Sequence, residues 1–381
     1  MAQSQGFRIC KVIGIPIYID FSWIIIFALI SYALSSQFNQ LHPQWTSAQH
    51  WTIGLLTSLL FFGSVLFHEL AHSIVAQRYK LKVVSITLFI FGGLARIARE
   101  PSEPIQEFNI AIAGPIASGF LTGLFYLMML VFAHNEMVLA LSTYLCASNG
   151  LLALFNLLPG FPLDGGRIFR AIVWGATKDF TKATLVAGAS GKLIAYGMIL
   201  FGLWNTFKLH DWQGIWYVLI GWFLLTAANA SVQQVTIRET LTGLMASDVM
   251  SHEVPAIPGN MSLNEYSGEV LRTGRRVHLV TSDSRLVGLM NVAALNTVSR
   301  DEWDMNSVQA VMVPRDKILW AAPEEPLQRL LERLLSADVN QMPVVQHGED
   351  GSANIVGIVT RDAILRVIQT RSELGAAQAA R

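Results

Sequence analysis

The sequence predicts a polytopic α-helical membrane protein, with about six transmembrane helices and a short membrane-associated β-sheet, followed by a smaller α/β module. The 381-residue chain is 52% hydrophobic and 14% charged, with a mean hydropathy of +0.43. Such a composition is typical of a chain that lies partly in a bilayer. Charge is also unevenly spread: residues 1–237 hold 13 basic and 9 acidic residues, whereas residues 238–381 hold 14 and 18. We therefore expect a membrane domain over 1–237 and a soluble domain over 238–381.

The membrane domain begins with a predicted strand. Residues 12–19 are short and rich in β-branched side chains. Asp20 then stands where an N-cap is needed for a first apolar helix, residues 21–36. Residues 83–98 alternate in polarity, which predicts a hairpin or short sheet. The other apolar runs predict helices over 51–79, 107–133, 137–157, 183–207 and 213–236.

The third of these helices contains a pattern of small residues. Gly119 and Gly123 are four apart, and Gly114 and Ser118 repeat the spacing. Small residues at this interval let helix backbones approach closely in lipid. The pattern predicts a tight helix–helix contact along this face.

The distribution of basic residues predicts the orientation in the membrane. Six spans place both termini on one side, and Lys and Arg concentrate on the cytoplasmic side. One set of loops holds 11 of them, and the opposite set holds Lys208 alone. We therefore expect a cell-membrane protein whose N- and C-termini and soluble half are cytoplasmic. The zero formal net charge gives no indication of nucleic-acid binding.

The second helix carries the motif that predicts chemistry. It reads HELAH, from His68 to His72, and follows a run of 17 residues without charge. Residues four apart share a helix face, so the two imidazoles can bind one metal ion. Glu69 lies beside them, where it can take a proton from water. Ionisable groups in a membrane helix favour a functional interpretation over packed histidines.

A catalytic metal site needs a third protein ligand, and Asp164 is the best candidate. It stands in the stretch NLLPGFPLDGGR, residues 156–167, where two prolines and three glycines interrupt the fourth helix. Irregular backbone at membrane depth is tolerated where protein or a water-filled cavity satisfies it. The alternative is that Asp164 simply caps an interfacial helix.

Together, these two motifs resemble the site-2 protease family of intramembrane zinc metalloproteases. The stretches GIPIYIDFSW and FGGLA add to the resemblance, which covers about residues 1–236. It implies one zinc ion bound by His68, His72 and Asp164, with Glu69 as the general base. Asn156 corresponds to the family's asparagine near the site, which is proposed to hold the substrate backbone or the oxyanion.

The predicted hairpin offers a way to hold a substrate. A transmembrane helix hides its peptide bonds, so a substrate segment must unwind before it is cut. A free strand edge binds extended chain by adding a strand. We therefore assign substrate binding to Gly92 and Gly93, and a hairpin without substrate contact is the alternative.

The soluble half reads as two similar units, about 245–300 and 308–370. Each passes from Val-Met through a helical stretch to a hydrophobic strand, a turn and a Gly-led strand. This order resembles a tandem cystathionine-β-synthase-type (CBS) pair, which often binds adenine nucleotides. Thr360 and Asp362 resemble the family's ligand residues, whereas Asn291 and an alanine replace them in the first unit. A structural module without ligand remains open, as does a homodimer formed through the CBS modules.

These observations predict a zinc metalloendopeptidase that cuts a transmembrane segment. The family resemblance implies a single-span substrate, such as an anti-sigma factor or a membrane-tethered transcription regulator, and regulated intramembrane proteolysis. Any nucleotide at the CBS pair would be regulatory. Two alternatives stay open: a catalytically silent protein that retains membrane partners, and a CBS-gated metal transporter.

Overall fold

In the part of the chain that the structure describes, six helices are long and apolar enough to cross a membrane, which confirms the predicted fold class. The computed structural model describes residues 6–90, 92–282, 285–347 and 353–379. An additional shorter helix, α5, was not predicted and lies between the fourth and fifth spans. The helices of this domain are α1 (Phe21–Leu41), α2 (Ser47–Arg78), α3 (Pro104–Val131), α4 (Glu136–Asn156), α5 (Asp164–Thr177), α6 (Phe180–Lys208) and α7 (Gly214–Leu241).

Side-chain caps determine where the first two helices begin. Asp20 caps α1 as predicted, since its carboxylate accepts a hydrogen bond of 2.9 Å from the Ser22 backbone N–H. Helix α2 begins four residues before its predicted start. Thr46 and Gln49 form a reciprocal capping box there, which satisfies the backbone N–H groups of the first turn.

The membrane domain also contains one four-stranded sheet, β1 (Phe7–Val12), β2 (Ile15–Ile19), β3 (Val83–Phe89) and β4 (Gly92–Ile97), in that order. The hairpin predicted over 83–98 is confirmed as β3 and β4. The single strand predicted over 12–19 is wrong, because a tight turn divides this region into β1 and β2. Ile13 and Gly14 both have positive φ angles there, 48° and 80°. Strands β2 and β3 pair in parallel, and β4, the last strand in the order, lies at one edge of the sheet that the described residues form.

The small residues in the predicted packing motif of α3 have contacts that differ from the predicted ones. A side chain added at Gly119 or Gly123 would meet no atom within 4 Å, so neither glycine makes a close helix contact. Gly114 instead lies directly against the histidines of α2. The close approach between α1 and α2 is made by Gly54, whose position leaves no room for a Cβ beside Ser35.

The chain divides into two compact units, Met1–Val235 and Thr236–Arg381. The second unit holds two sheets, β5–β8 in order and β9 with β10. Its elements are β5 (Ala256–Pro258), α8 (Leu263–Thr273), β6 (Val277–Ser282), β7 (Arg285–Asn291), α9 (Val308–Val311), β8 (Val313–Pro314), α10 (Leu327–Ser336), β9 (Gln341–His347), β10 (Ala353–Thr360) and α11 (Arg361–Ala379).

Each Val-Met segment of the internal repeat packs on the other repeat. Met250, which opens the first repeat, lies against Gly357 of β10, and Met312 lies against Gly288 of β7. Ser251 extends this exchange by pairing its backbone with Ile358 at 2.9 and 3.0 Å. The glycines are required because any Cβ at either position would overlap the methionine. Each repeat is therefore completed by a segment of the other, although the repeats follow one another along the chain.

Candidate metal centre

Helix α2 presents His68 and His72 on one buried face. Their spacing of one helical turn puts both rings on the side that packs against α3. Each histidine is 4% exposed. The rings meet edge to face, with centroids 4.9 Å apart. The arrangement predicted from HELAH is therefore present, with both Nε2 atoms directed to one point.

Asp164 reaches that point from the other side, as the first residue of α5. The preceding loop, residues 157–163, folds back over the start of the helix. Gly165 and Gly166 make this possible, because a Cβ on either would overlap the loop backbone at Leu157 or Gly160. The glycines of the LDGG stretch thus allow the loop to close behind the aspartate.

The three side chains form a compact triangle of potential ligand atoms. Asp164 Oδ2 lies 3.0 Å from His68 Nε2 and 3.1 Å from His72 Nε2, and the two Nε2 atoms are 3.2 Å apart. Ligand atoms at about 2.0–2.2 Å from a tetrahedral zinc ion lie about 3.3–3.6 Å from one another. The described residues contain no other group of three such side chains. The donor set fits a zinc ion, and the three atoms lie a few tenths of an ångström closer together than ligands bound to zinc.

The outer nitrogen of each ring is held by α3. His72 Nδ1 lies 2.6 Å from the Ile110 carbonyl oxygen, which can only accept, so Nδ1 carries the hydrogen. In the neutral ring, Nε2 then offers its lone pair to the centre. His68 Nδ1 lies 2.9 Å from the Ser118 hydroxyl. Such partners orient metal-binding histidines in known sites.

Sequence reasoning did not assign these contacts of α3. The sequence pattern of Ser118 and Gly114 indicates only close helix packing. A Cβ built on Gly114 would lie 2.5 Å from His68 Nε2, closer than real side chains approach. Gly114 therefore lies directly against the Nε2 atoms of the proposed metal site, where a side chain would not fit. The signal was present in the sequence as the spacing of Gly114 and Ser118, which places both on one helix face.

The aspartate is electrostatically suited to bind a cation. Burial by itself raises the pKa of Asp164, but the adjacent His72 and His68 side chains outweigh burial and hold that pKa below its ordinary value. The carboxylate therefore stays ionised while 14% exposed. An ionised carboxylate beside two imidazole nitrogens is a donor set that zinc prefers.

Glu69 lies next to the centre, covered by strand β4. A Cβ on Gly93 would come within 3.0 Å of the Glu69 carboxyl carbon, so β4 touches this side chain closely. Gly92 begins the strand with a φ of 129°, a conformation that favours glycine. Both predicted hairpin glycines thus lie at the strand that covers Glu69.

Asn156 ends helix α4 and is not joined to the triangle. Its side-chain amide donates to the Leu152 carbonyl of its own helix at 3.0 Å. Among the described residues, no hydrogen bond links it to His68, His72 or Asp164. The structure therefore brings together four of the five residues predicted for the reaction, and leaves the fifth bonded within its helix.

In the soluble unit, the predicted nucleotide residues have local structural contacts. The Thr360 hydroxyl accepts from the Ala363 backbone N–H at 3.1 Å and so caps α11. Asn291 caps a short helix in the same way, accepting from Ala294 at 2.9 Å. Asp362 is exposed in the first turn of α11. A separate cleft of about 620 Å³ is lined by Leu286, Val287, Pro314, Arg315, Asp316, Trp320, Val345 and Ile355.

A His–His–Asp cluster with a glutamate beside it, in a domain of apolar helices long enough to cross a membrane, defines a membrane-embedded metal-dependent hydrolase. Two family models match the chain: Peptidase family M50 at residues 56–136 and 131–200, and CBS domain at residues 308–370. A Synechocystis protein whose name places it among the zinc metalloproteases is 30% identical over 97% of each chain. The chain therefore belongs to the site-2 protease family of zinc metalloproteases, peptidase family M50.

A second relative matches along nearly the whole length, and a solved structure matches over part of it. A zinc metalloprotease of Methanocaldococcus jannaschii is 28% identical and covers 98% of this chain and 99% of its own. The solved site-2 protease from the same organism is 30% identical over 60% of this chain and 95% of that one, with a TM-score of 0.43. The protein is thus a multi-pass membrane metalloprotease with a C-terminal CBS domain. Family membership favours the enzyme over both the silent binding protein and the transporter.

Proposed function

We propose that this protein is an intramembrane endopeptidase that cuts the transmembrane segment of a single-span regulatory protein near its cytoplasmic end. The cut releases a soluble fragment, which is regulated intramembrane proteolysis. The observation that carries the proposal is the convergence of His68, His72 and Asp164 at 3.0–3.2 Å within an apolar helical domain. Glu69 beside that triangle supplies the group that a hydrolase needs for proton transfer.

His68, His72 and Asp164 would hold one zinc ion. When bound, zinc polarises the scissile carbonyl and makes water a nucleophile at neutral pH. The His72 ring is kept in the required tautomer by its bond to the Ile110 carbonyl. Asp164 adds the negative charge that offsets part of the ion's charge in this buried place.

Glu69 moves the proton in this proposal. It accepts a proton from the attacking water and delivers it to the leaving amine, as general base and then general acid. Strand β4 covers the carboxylate and limits its access to bulk water.

Asn156 would stabilise the oxyanion that forms on the scissile carbonyl. Its amide now donates to Leu152. The proposal therefore requires Asn156 to exchange this helical bond for a bond to the substrate. A preorganised donor at a developing oxyanion contributes about 10²–10³ in rate in other hydrolases.

The edge of β4 would bind the unwound substrate. Strand β3 occupies one side of β4, and the sheet ends at the other side. An extended substrate can pair its backbone with that edge. Gly92 and Gly93 leave the backbone without bulky side chains where it passes Glu69, so the substrate can approach the reacting groups.

The cytoplasmic membrane is the proposed location, with both termini and the CBS pair in the cytoplasm. The concentration of Lys and Arg in one set of loops supports this orientation. A substrate then lies in the same bilayer and releases its fragment on the side that holds transcription machinery. Membrane-tethered transcription regulators and anti-sigma factors are substrates of this kind.

The CBS pair would regulate the protease by binding an adenine nucleotide and by pairing with a second copy. Hydrolysis of a peptide bond needs no ATP, so the nucleotide acts as a signal. Trp320 and Arg315 line one cleft, and they could stack on a base and bind phosphate. The Thr360 hydroxyl is proposed to bind the nucleotide. Its oxygen accepts the hydrogen bond that caps α11, so its hydrogen is free to be donated. Asp362 follows Thr360 by two positions, which places its exposed carboxylate in the same helical turn.

The test is cleavage of a panel of single-span reporters co-expressed with the wild type and with Glu69→Gln, with zinc content measured on both purified proteins. We expect the wild type to cut a reporter within its span, and Glu69→Gln to bind zinc without cutting. The matched control is Glu103→Gln, since Glu103 is exposed and its side chain caps nothing. Cleavage by Glu69→Gln at the wild-type rate would overturn the role of Glu69. Absence of zinc from all the proteins would overturn the ligand set, and zinc flux across proteoliposomes without cleavage would favour a transporter.

A further inference from the structure

A buried ion pair joins α3 to α5 and has no part in the chemistry described above. Glu107 lies in the first turn of α3 with no exposed surface, and Arg170 of α5 is 6% exposed. Arg170 Nε donates to Glu107 Oε1 at 2.8 Å, and Nη2 donates to the same oxygen. Two hydrogen bonds from one guanidinium give this contact a defined geometry.

The Arg170 guanidinium also reaches the two neighbouring segments. It lies over the ring of Phe161, in the loop that precedes Asp164, at 4.9 Å. On the other side it lies over the ring of Phe180 at the start of α6, at 4.6 Å. Nη1 is 3.4 Å from the Thr184 hydroxyl of α6. One side chain thus contacts α3, the loop and α6 while it is fixed to α5.

These contacts connect α5, which carries Asp164, to α3, which holds the outer nitrogens of both histidines. Along α3, Glu107 lies three residues before Ile110, whose carbonyl holds His72. Along α5, Arg170 lies six residues after Asp164. The ion pair therefore fixes both the position and the rotation of α5 relative to the histidines.

Stability alone is a weak reason for such a pair. Desolvation of two buried charges offsets much of their attraction, and apolar pairs of similar volume often serve as well. Glu107 Oε2 has no hydrogen-bond partner here, so the carboxylate is not fully satisfied. An apolar pair would lack the fixed, directional N–H donors of the guanidinium.

We propose that Glu107 and Arg170 are positioning residues that set the Asp164 carboxylate against His68 and His72. The inference rests on the proposed function, because it takes Asp164 as a zinc ligand. Neither residue touches the reacting atoms. Their effect is on zinc affinity, and through it on cleavage at limiting zinc.

The test uses full-length purified protein and measures the zinc dissociation constant by competition with a chelator. We expect Arg170→Gln and Glu107→Gln to bind zinc about 10–100-fold more weakly, the range found when partners of metal ligands are removed. Arg170→Lys keeps the charge but not the fork, so an intermediate loss is expected. Excess zinc should restore cleavage in each, which a merely unfolded protein would not show.

Two further proteins separate positioning from folding. Arg167→Gln is the matched control, since Arg167 lies on the same helix and makes one contact of 3.9 Å to Glu107. We expect its zinc affinity to stay within about threefold of the wild type. The double variant Glu107→Leu, Arg170→Met removes both charges, so it should fold with a thermal stability near that of the wild type and still bind zinc weakly.

Two results would overturn the inference: wild-type zinc affinity in Arg170→Gln, or wild-type affinity in the double variant. A wild type that binds no zinc would instead overturn the proposed function, so the two failures are distinguishable. If Arg170→Gln does not fold, the double variant and Arg170→Lys decide the question by the same measurement.

Discussion

Replacement of Gly114 by alanine should abolish zinc binding while leaving the fold in place. The new Cβ would lie 2.5 Å from His68 Nε2, and it would overlap His72 Nε2 as well. Ordinary contact begins near 3.4 Å, so the His68 ring would have to move by about 0.9 Å. Metal sites require ligand distances within about 0.2 Å.

The size of the effect follows from this displacement. Both histidine nitrogens are obstructed by the same methyl group, so rotation of one ring does not relieve the overlap. We expect a loss of at least 100-fold in zinc affinity, or about 2.7 kcal/mol. Cleavage of a single-span reporter should fall with zinc occupancy.

The matched control is Gly119→Ala on the same helix. A Cβ at Gly119 meets no atom within 4 Å. Alanine favours a helix over glycine by up to about 1 kcal/mol, so this variant should be as stable as the wild type or more so. The assay is equilibrium zinc binding in detergent, with thermal unfolding as a check. Wild-type zinc affinity in Gly114→Ala would refute the reasoning.

Three further predictions follow from the described contacts. Ser118→Ala removes the partner of His68 Nδ1 and should weaken zinc binding about tenfold, whereas Ser142→Ala, which deletes a buried hydroxyl without a partner, should not. Gly93→Ala crowds Glu69, which is not a ligand, so cleavage should fall while zinc content stays at one per chain. Burial lowers the pKa of His278, so the thermal stability of the wild type should fall as pH drops below about 6.5. His278→Phe should lose less thermal stability over the same pH range. An equal loss in both proteins would contradict this prediction.

The sign of the His278 prediction follows from its surroundings. Its side chain is buried, and neither ring nitrogen has a hydrogen-bond partner. In the folded protein the ring therefore resists protonation, while the unfolded chain takes up a proton near the ordinary pKa. Acid then favours unfolding, and the contribution of His278 is complete above that ordinary value.

The spans and the metal cluster could be predicted because their signals are local. Apolar runs of sufficient length define the helices, and the spacing of His68 and His72 defines a shared face. Asp164 could be predicted because it follows the proline- and glycine-rich break of the fourth helix, on the side expected for His72, in a stretch that resembles the family's second motif. Asp20 was recognised as a cap because its position before an apolar run is itself a local pattern.

The contacts that were missed depend on residues distant in sequence. Nothing local shows that Glu107 faces Arg170, 63 residues later, or that Ser118 meets His68. Gly119 and Gly123 fit the small-residue pattern of packed helices, but that pattern does not show which face of α3 meets α2. Helix α5 was not predicted because the prolines and glycines of residues 159–166 indicate a loop. Gly165 and Gly166 in fact lie in the first turn of α5, where the backbone of the preceding loop packs closely on them.

The exchange of Val-Met segments in the soluble unit was also beyond the sequence. The repeat itself is visible, since the same order of residue types occurs twice. Which strand each methionine covers depends on the tertiary arrangement of the two repeats. Met250 of the first repeat contacts Gly357 of the second, and Met312 of the second contacts Gly288 of the first. These contacts require a segment of each repeat to pack on a strand of the other.

The most direct test of the central claim is to locate the cut in a reconstituted system. Purified zinc-loaded protein and a single-span reporter would be placed in lipid vesicles, and the products identified by mass spectrometry. We predict one principal cleavage within the apolar span of the reporter, near its cytoplasmic end, that is lost in Glu69→Gln and on zinc removal and returns when zinc is restored. Cleavage confined to the soluble part of the reporter, or cleavage that persists in Glu69→Gln, would contradict the claim.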